Sequence, residues 1–376
     1  MVFLNGSVAP TTAPMHIVLI AFVLLTGALT AAMPWLMQPG ECFAVTIPPS
    51  QDGSPRLRGL KRSYSLLMGL VALGLAGFSL ACLPLGEDAF ALAASASVVL
   101  LSLASFLVML AFRGRVQEIK RSSGWVAGAR IHVAALGEVD LPEPVSLRWE
   151  LVHVLFLVVA ATLMAMVYPG LPDRVAIHFD MQGNANGWVD KGPELFIFVL
   201  GTIAFLGLCL TVSHVAIVGS KRSSRADAPA TSLYGYAVYA RAQSILLVGL
   251  GTVMNGLLAL MPLVVAGSLS VEGWTMAMLA FAFVCVAASI AMAVLYGQNG
   301  NRVVSRVAAA GNRMLADDDE FWKGGIFYVN RDDAAVFVPK RFGIGWTLNL
   351  GRPAAWGVVA LVAISSAAFV IAMASM

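Results

Sequence analysis

Charged residues are scarce in this chain: only 12% of its 376 residues are Asp, Glu, Lys or Arg, while 59% are hydrophobic. The charged share is about half that of an ordinary soluble domain, which excludes a water-soluble globule. The few charges nearly cancel, 24 basic against 21 acidic, for a formal net charge of +3. No basic field marks nucleic acid as a direct partner. Cysteine is equally sparse. Cys42, Cys82, Cys209 and Cys285 lie far apart, three of them in apolar runs, with no pairing or metal-ligand spacing, and read as small buried hydrophobes. Also missing are a glycine-rich phosphate loop, a His-Glu-x-x-His helix, a Ser or Cys elbow, and the paired acids or Ser/His pair that intramembrane proteolysis needs. The expectation is a protein that is not an enzyme and carries no cofactor and no metal.

What the chain has is apolar length. Eight stretches, 15–37, 64–85, 89–112, 151–167, 195–219, 241–266, 274–296 and 354–374, are apolar over about 17–25 residues, enough to cross roughly 30 Å of hydrocarbon as helix. No basic residue precedes the first, so it lacks the start of a cleavable signal peptide and is expected to remain in the mature protein. Of the 24 Lys and Arg, only Arg174 and Lys191 fall in one set of alternate loops; the other twenty-two fall in the opposite set. By the positive-inside rule both termini lie outside the cytoplasm. The predicted fold class is therefore an all-α polytopic membrane protein with about eight transmembrane helices, N-out and C-out, a small cytoplasmic β-hairpin and one structured external loop.

The predicted organisation is helices 1–3 over 1–112, a cytoplasmic loop 113–150, helices 4 and 5 over 151–219 with the external loop 168–194, helices 6 and 7 over 241–296, a cytoplasmic segment 297–353, and helix 8 over 354–376. Short external turns join helices 2 and 3 at Gly86-Glu87-Asp88 and helices 6 and 7 near Glu272. Within the spans the expectation is that no ionisable group lies near the midplane. Asn255 is the one amide near mid-helix, better explained by interhelical hydrogen bonding than by ion coordination. His16, His153 and His214 are expected toward helix ends, within reach of headgroups or water.

The segment 297–353 contains Asp317-Asp318-Asp319-Glu320, read as a solvated acidic run. Ile326 to Val329 and Ala335 to Val338 then read as two strands of a hairpin. After Pro339, the alternation of Lys340, Arg341, Phe342 and Trp346 has two readings: a membrane-surface anchor, or, with Trp322, Phe327 and Tyr328, a binding face for a cytoplasmic partner. Phe43 to Ile47 is a further strand candidate, and a two-stranded hairpin is marginal in water, so a third strand from this loop is expected to join it.

In the external loop, Val175 to Phe179 is predicted as a strand, with Gly183 to Gly187 a turn and Asn186-Gly187 its tight corner. Trp188 beside Lys191 fits an interfacial anchor, and His178 with Asp173, Asp180 and Asp190 a small polar cluster. One His among scattered carboxylates is thin for a zinc site. A structural histidine and a protonation switch are the other readings of His178.

Leu171, Pro172, His178, Phe179, Gly183, Gly187, Trp188 and Lys191 together resemble the short extracytoplasmic domain of unknown function in Sdp-type immunity and signalling membrane proteins of Gram-positive bacteria, with Asn186 where that pattern carries Asp. The departure keeps the turn and removes a charge. Phe321, Trp322, Lys323, Phe327, Tyr328, Asn330, Asp333, the run Phe337 to Gly343 and Trp346 are similar to a cytoplasmic segment of unknown function in longer relatives. The resemblance implies immunity to a membrane-active peptide, or envelope sensing, in a bacterial cell membrane. It implies recognition through His178, Phe179, Trp188, Lys191 and Asp173, a peptide toxin or envelope ligand outside, and a transcriptional regulator held inside. Permease-like transport of a small or lipidic substrate is the alternative.

Overall fold

The computed structural model describes residues 13–126, 141–179, 185–221, 229–307 and 317–374. The α-helices are α1 (Ala13–Leu36), α2 (Pro55–Ala81), α3 (Glu87–Ser122), α4 (Leu151–Val167), α5 (Pro193–Val218), α6 (Pro229–Ala259), α7 (Met261–Val265), α8 (Val271–Leu295), α9 (Asn301–Val307) and α10 (Pro353–Ala374). Among the described residues eight helical stretches are long and apolar enough to cross a bilayer, and the chain is a multi-pass membrane protein in contact with lipid.

Several helices outrun their apolar cores at the Arg-rich end of the bundle. α2 begins at Pro55 and α3 continues to Ser122, about ten residues past the end of its apolar run at Phe112. Ser54 caps α2 by accepting from the Leu57 N–H, and Pro55 follows at a position where a missing N–H is harmless. Glu87 and Asp88 open α3 and Lys120 and Arg121 close it, each charge opposing the local end of the helix dipole. Helix α6 starts twelve residues before Arg241 and breaks ahead of Pro262, whose ring cannot sit inside a continuous helix.

Helices α1, α2 and α3 pack on one another around Met68, Leu101 and Met109. Helices α4, α5 and α6 form a second group whose core holds Ala160, Val199, Ile203 and Leu258. Helix α10 rests on α5, where the rings of Phe205 and Phe369 stack with centroids 4.6 Å apart.

Among the described residues the strands form four antiparallel pairs: β1 (Glu41–Cys42) with β2 (Val45–Thr46), β3 (Arg174–Phe179) with β4 (Ala185–Asp190), β5 (Trp322–Lys323) with β6 (Phe327–Tyr328), and β7 (Phe337–Pro339) with β8 (Trp346–Leu348). The expected hairpin between residues 326–329 and 335–338 does not form, because each of those strands takes a closer partner. Nor does 43–47 add a third strand. It folds back on itself, with Phe43 and Ala44 at φ 46° and 58°. A left-handed conformation is rare for residues with side chains and costs about 1–3 kcal/mol at each. The core offsets it: the Phe43 ring packs 5.3 Å from that of Tyr64 and 5.2 Å from that of Phe112.

Candidate functional site

The β3–β4 hairpin closes the bundle end opposite the arginines. Val175 and Val189 face each other across the strands and point inward, onto Met164, Leu171 and Leu195. Alternation then turns Arg174, His178, Asn186, Trp188 and Asp190 outward. Asn186-Gly187 is not the corner of the hairpin. Gly187 lies within β4 opposite His178, and a Cβ there would fall 2.7 Å from the His178 Cβ. His178 Nδ1 donates to Asn186 Oδ1, and Asp190 pairs with Arg174 at 3.5 Å. These partners replace the expected cluster of His178 with Asp173 and Asp190; Asp180 lies outside the described residues. Phe179 is half-buried and Asp173 exposed. Lys191 does not point outward with Trp188. Its Nζ donates to the carbonyls of Pro169 and Leu171 and lies over the Tyr168 ring, tying the hairpin to the end of α4.

At the Arg-rich end, Arg341 is 4% exposed, turned into the protein rather than toward headgroups. Its guanidinium binds Asp318 and Asp319, donates to Thr46 Oγ1 at 2.9 Å, sits 3.7 Å from Glu41 and lies over the Trp322 ring. The three aspartates of the acidic run are therefore paired rather than free in solvent, since Lys120 also reaches Asp317 and Asp319, while Glu320 is exposed. Arg113 and Arg341 both donate to the carbonyl of Ala44, holding the left-handed turn. Trp322 and Tyr328 are buried, Pro339, Phe342 and Trp346 half-buried, and Phe327 and Lys340 exposed. Trp346 Nε1 donates to the Tyr236 hydroxyl at 3.0 Å, and the Phe342 ring meets that of Tyr64. Asn349, fully buried, accepts from the N–H groups of Asn330 and Gly351 and donates to the carbonyls of Asn330, Asp333 and Ala335. Burial lifts the Asp333 carboxyl, but hydrogen bonds from Lys221, the Ala335 N–H and Tyr328 outweigh it and hold it below the ordinary carboxylate value.

The third constellation joins His153, His214 and Asn255, each expected singly from the sequence, to Glu150. Glu150 and His153 are three residues apart where α4 begins and so share a face. Glu150 Oε1 meets His214 Nδ1 of α5 at 2.7 Å, and Glu150 Oε2 meets His153 Nε2 at 3.0 Å. Thr211 Oγ1 donates to the same Oε2, and His214 Nε2 donates to the Val145 carbonyl at 2.9 Å. On its far side His153 Nδ1 accepts from Asn255 Nδ2 of α6 at 2.8 Å. His153 is 7% exposed, and His214 and Asn255 not at all, so neither histidine reaches headgroups or water. Two glycines make room for the His153 ring. A Cβ at Gly207, near the midpoint of α5, would come within 3.1 Å of the His153 Cβ, and one at Gly251 of α6 within 3.1 Å of its Cε1. The chain of contacts thus runs from the Arg-rich end to mid-bundle, and Asn255 Oδ1 at its inner end is buried without a hydrogen-bond partner. Among the described residues no group of three or more His, Cys, Asp or Glu has the geometry to hold a metal ion.

Residues 155–203 match a domain of unknown function (DUF1648), a span that takes in most of α4, the β3–β4 hairpin and the first part of α5. Residues 331–356 match a family of unknown function (DUF5808), covering β7, Arg341, β8, Asn349 and the start of α10. No curated protein and no solved structure matches the chain.

Proposed function

We propose that this chain is a non-enzymatic protein of a bacterial plasma membrane that confers protection against a membrane-active peptide, or senses an envelope ligand, through the β3–β4 hairpin. The distribution of Lys and Arg supports placing that hairpin outside and the Arg341 cap in the cytoplasm. The observation that carries the reading is the hairpin's outer face. Trp188 is 48% exposed beside His178 and Arg174, on a strand pair seated rigidly by Val175 and Val189. An exposed aromatic next to cationic and hydrogen-bonding groups suits an amphipathic peptide at the headgroup level. In the cap, the exposed Phe327 and Lys340 are the groups left for a transcriptional regulator.

The test is deletion of the gene in its host, exposure to a panel of membrane-active peptides, and complementation with wild type or with a variant carrying Arg174→Ala, His178→Ala and Trp188→Ala. Lys191 is left intact because it holds the hairpin root. Sensitisation rescued by wild type alone is the expected result; equal rescue by the variant would remove the hairpin as the recognition face. The buried Glu150 chain favours a second reading, permease-like transport of a small or lipidic substrate, since ionisable groups inside spans usually accompany function. Substrate flux in proteoliposomes separates the two.

A further inference from the structure

The contacts along the buried chain fix where its protons sit. The Val145 carbonyl can only accept, so His214 Nε2 carries a hydrogen. His214 Nδ1 and Glu150 Oε1, 2.7 Å apart, then need one hydrogen between them, because a bare ring nitrogen and a carboxylate oxygen repel at that distance. Whether it belongs to an imidazolium or to a carboxylic acid, the pair is neutral as a unit. His153 Nε2 donates to Glu150 Oε2, and its Nδ1 is bare because the Asn255 amide donates to it. Every ring position is accounted for, with one neutral imidazole at the inner end and one unused acceptor, Asn255 Oδ1, beside it.

We propose that Glu150, His214, His153 and Asn255 form a proton-binding site inside the helix bundle, in which His153 Nδ1 takes up one further proton as the Asn255 amide turns to present Oδ1. The balance is simple. One proton enters from solution, a bond forms between it and His153 Nδ1, and the chain's charge rises by one. The new N–H donates to Asn255 Oδ1, the orphaned oxygen gains its partner, and Glu150 lies between the His153 imidazolium and His214, with which it still shares one proton. Entry is from the Arg-rich end, where Ser146, Leu147, Arg148 and Trp149 are exposed immediately before buried Glu150.

The groups facing the site are few. Residue Glu150 and α4 supply the carboxylate and His153, and α5 supplies His214. Helix α6 supplies Asn255 and Ser244, the latter accepting from the Val145 N–H, with Arg241 further out on the Glu143 carbonyl. Helices α7 and α10 bring no titratable residue. Of the other helices packed on α6, α8 carries Glu272 in its first turn and α9 carries Arg302 and Arg306. The site joins three helices through one amide, so its charge state sets which face of Asn255 binds α4.

The experiment is nitrogen-15 spectroscopy of histidine-labelled, full-length protein in proteoliposomes, across the pH range in which it stays folded. On the alkaline side His153 is expected as the Nε2–H tautomer, and on the acid side with both nitrogens protonated, a gain of one proton. Asn255→Leu keeps the packing volume and is expected to abolish that gain while His214 is unchanged. A His153 that stays neutral at every pH would reduce the chain to a static interhelical clamp and overturn the proposal. So would an Asn255→Leu variant that titrates like wild type.

Discussion

Arg341 and Thr46 share one acceptor: Asp319 Oδ1 binds the Arg341 guanidinium while it accepts from both the backbone N–H and the hydroxyl of Thr46. Removing the guanidinium takes from Asp318 and Glu41 the cation they share in a largely buried place and leaves Asp319 with the Lys120 cation alone. Arg341→Ala is expected to destabilise the Arg-rich end by about 3–5 kcal/mol, the usual consequence of breaking a buried pair from one side. Thermal unfolding followed by the fluorescence of Trp322 checks it; an unchanged midpoint would contradict the clamp.

Glu41 gives this end a pH dependence. Burial lifts its carboxyl from 4.5 to about 7, against the opposing pull of Arg341. The folded protein then keeps a proton that the unfolded chain has released, so the stability Glu41 contributes is full below about pH 4.5, is lost as the pH rises toward 7 and is absent above it. At 1.36 kcal/mol per unit the decline is about 3 kcal/mol. Glu41→Gln, which has nothing to release, is expected to flatten that limb of a stability-against-pH profile. Parallel profiles for the two proteins would refute the assignment.

Gly187→Ala places a methyl group where the His178 side chain lies. Overpacking of this kind costs about 1–3 kcal/mol, and the strand pair is expected to loosen. Hydrogen exchange should quicken over residues 174–190 and not over the spans, and His178→Gly in the same chain, which removes the Cβ that the new methyl meets, should restore protection.

Asn349→Leu leaves two N–H groups and three carbonyls without their partner. Each polar group left buried and unpaired costs about 1–3 kcal/mol. Residues 328–351 are expected to lose protection against exchange while α10 stays protected; intact protection there would show that water replaces the amide.

The eight spans could be read from the sequence because hydropathy is carried by each residue separately, whatever its neighbours in space. The ends of α2, α3 and α6 could not, since the apolar run stops at the first charge and the helix does not. Pairings of two or three residues, such as Trp322 with Tyr328, leave too short a pattern to set a register. Arg341 and the acidic run were misread for one reason: each looks solvated alone, and only the fold brings them together. The Glu150 chain was missed because Glu150 reads as the last residue of a loop. The legible clue was the three-residue step to His153 at the mouth of an apolar run, with His214 late in the next.

The Phe43–Ala44 turn follows the first span, yet the groups that hold it, Arg113, Asp319 and Arg341, belong to the third span and to the segment before the last. A ribosome delivers them in that order. The turn therefore has Arg113 and its ring contacts once the third span is made, but lacks Asp319 and Arg341 until seven spans have entered the membrane. Ending synthesis before residue 341 would leave seven inserted helices with the turn held from the third span alone, so the first loop is fully locked only by the segment that follows the seventh span.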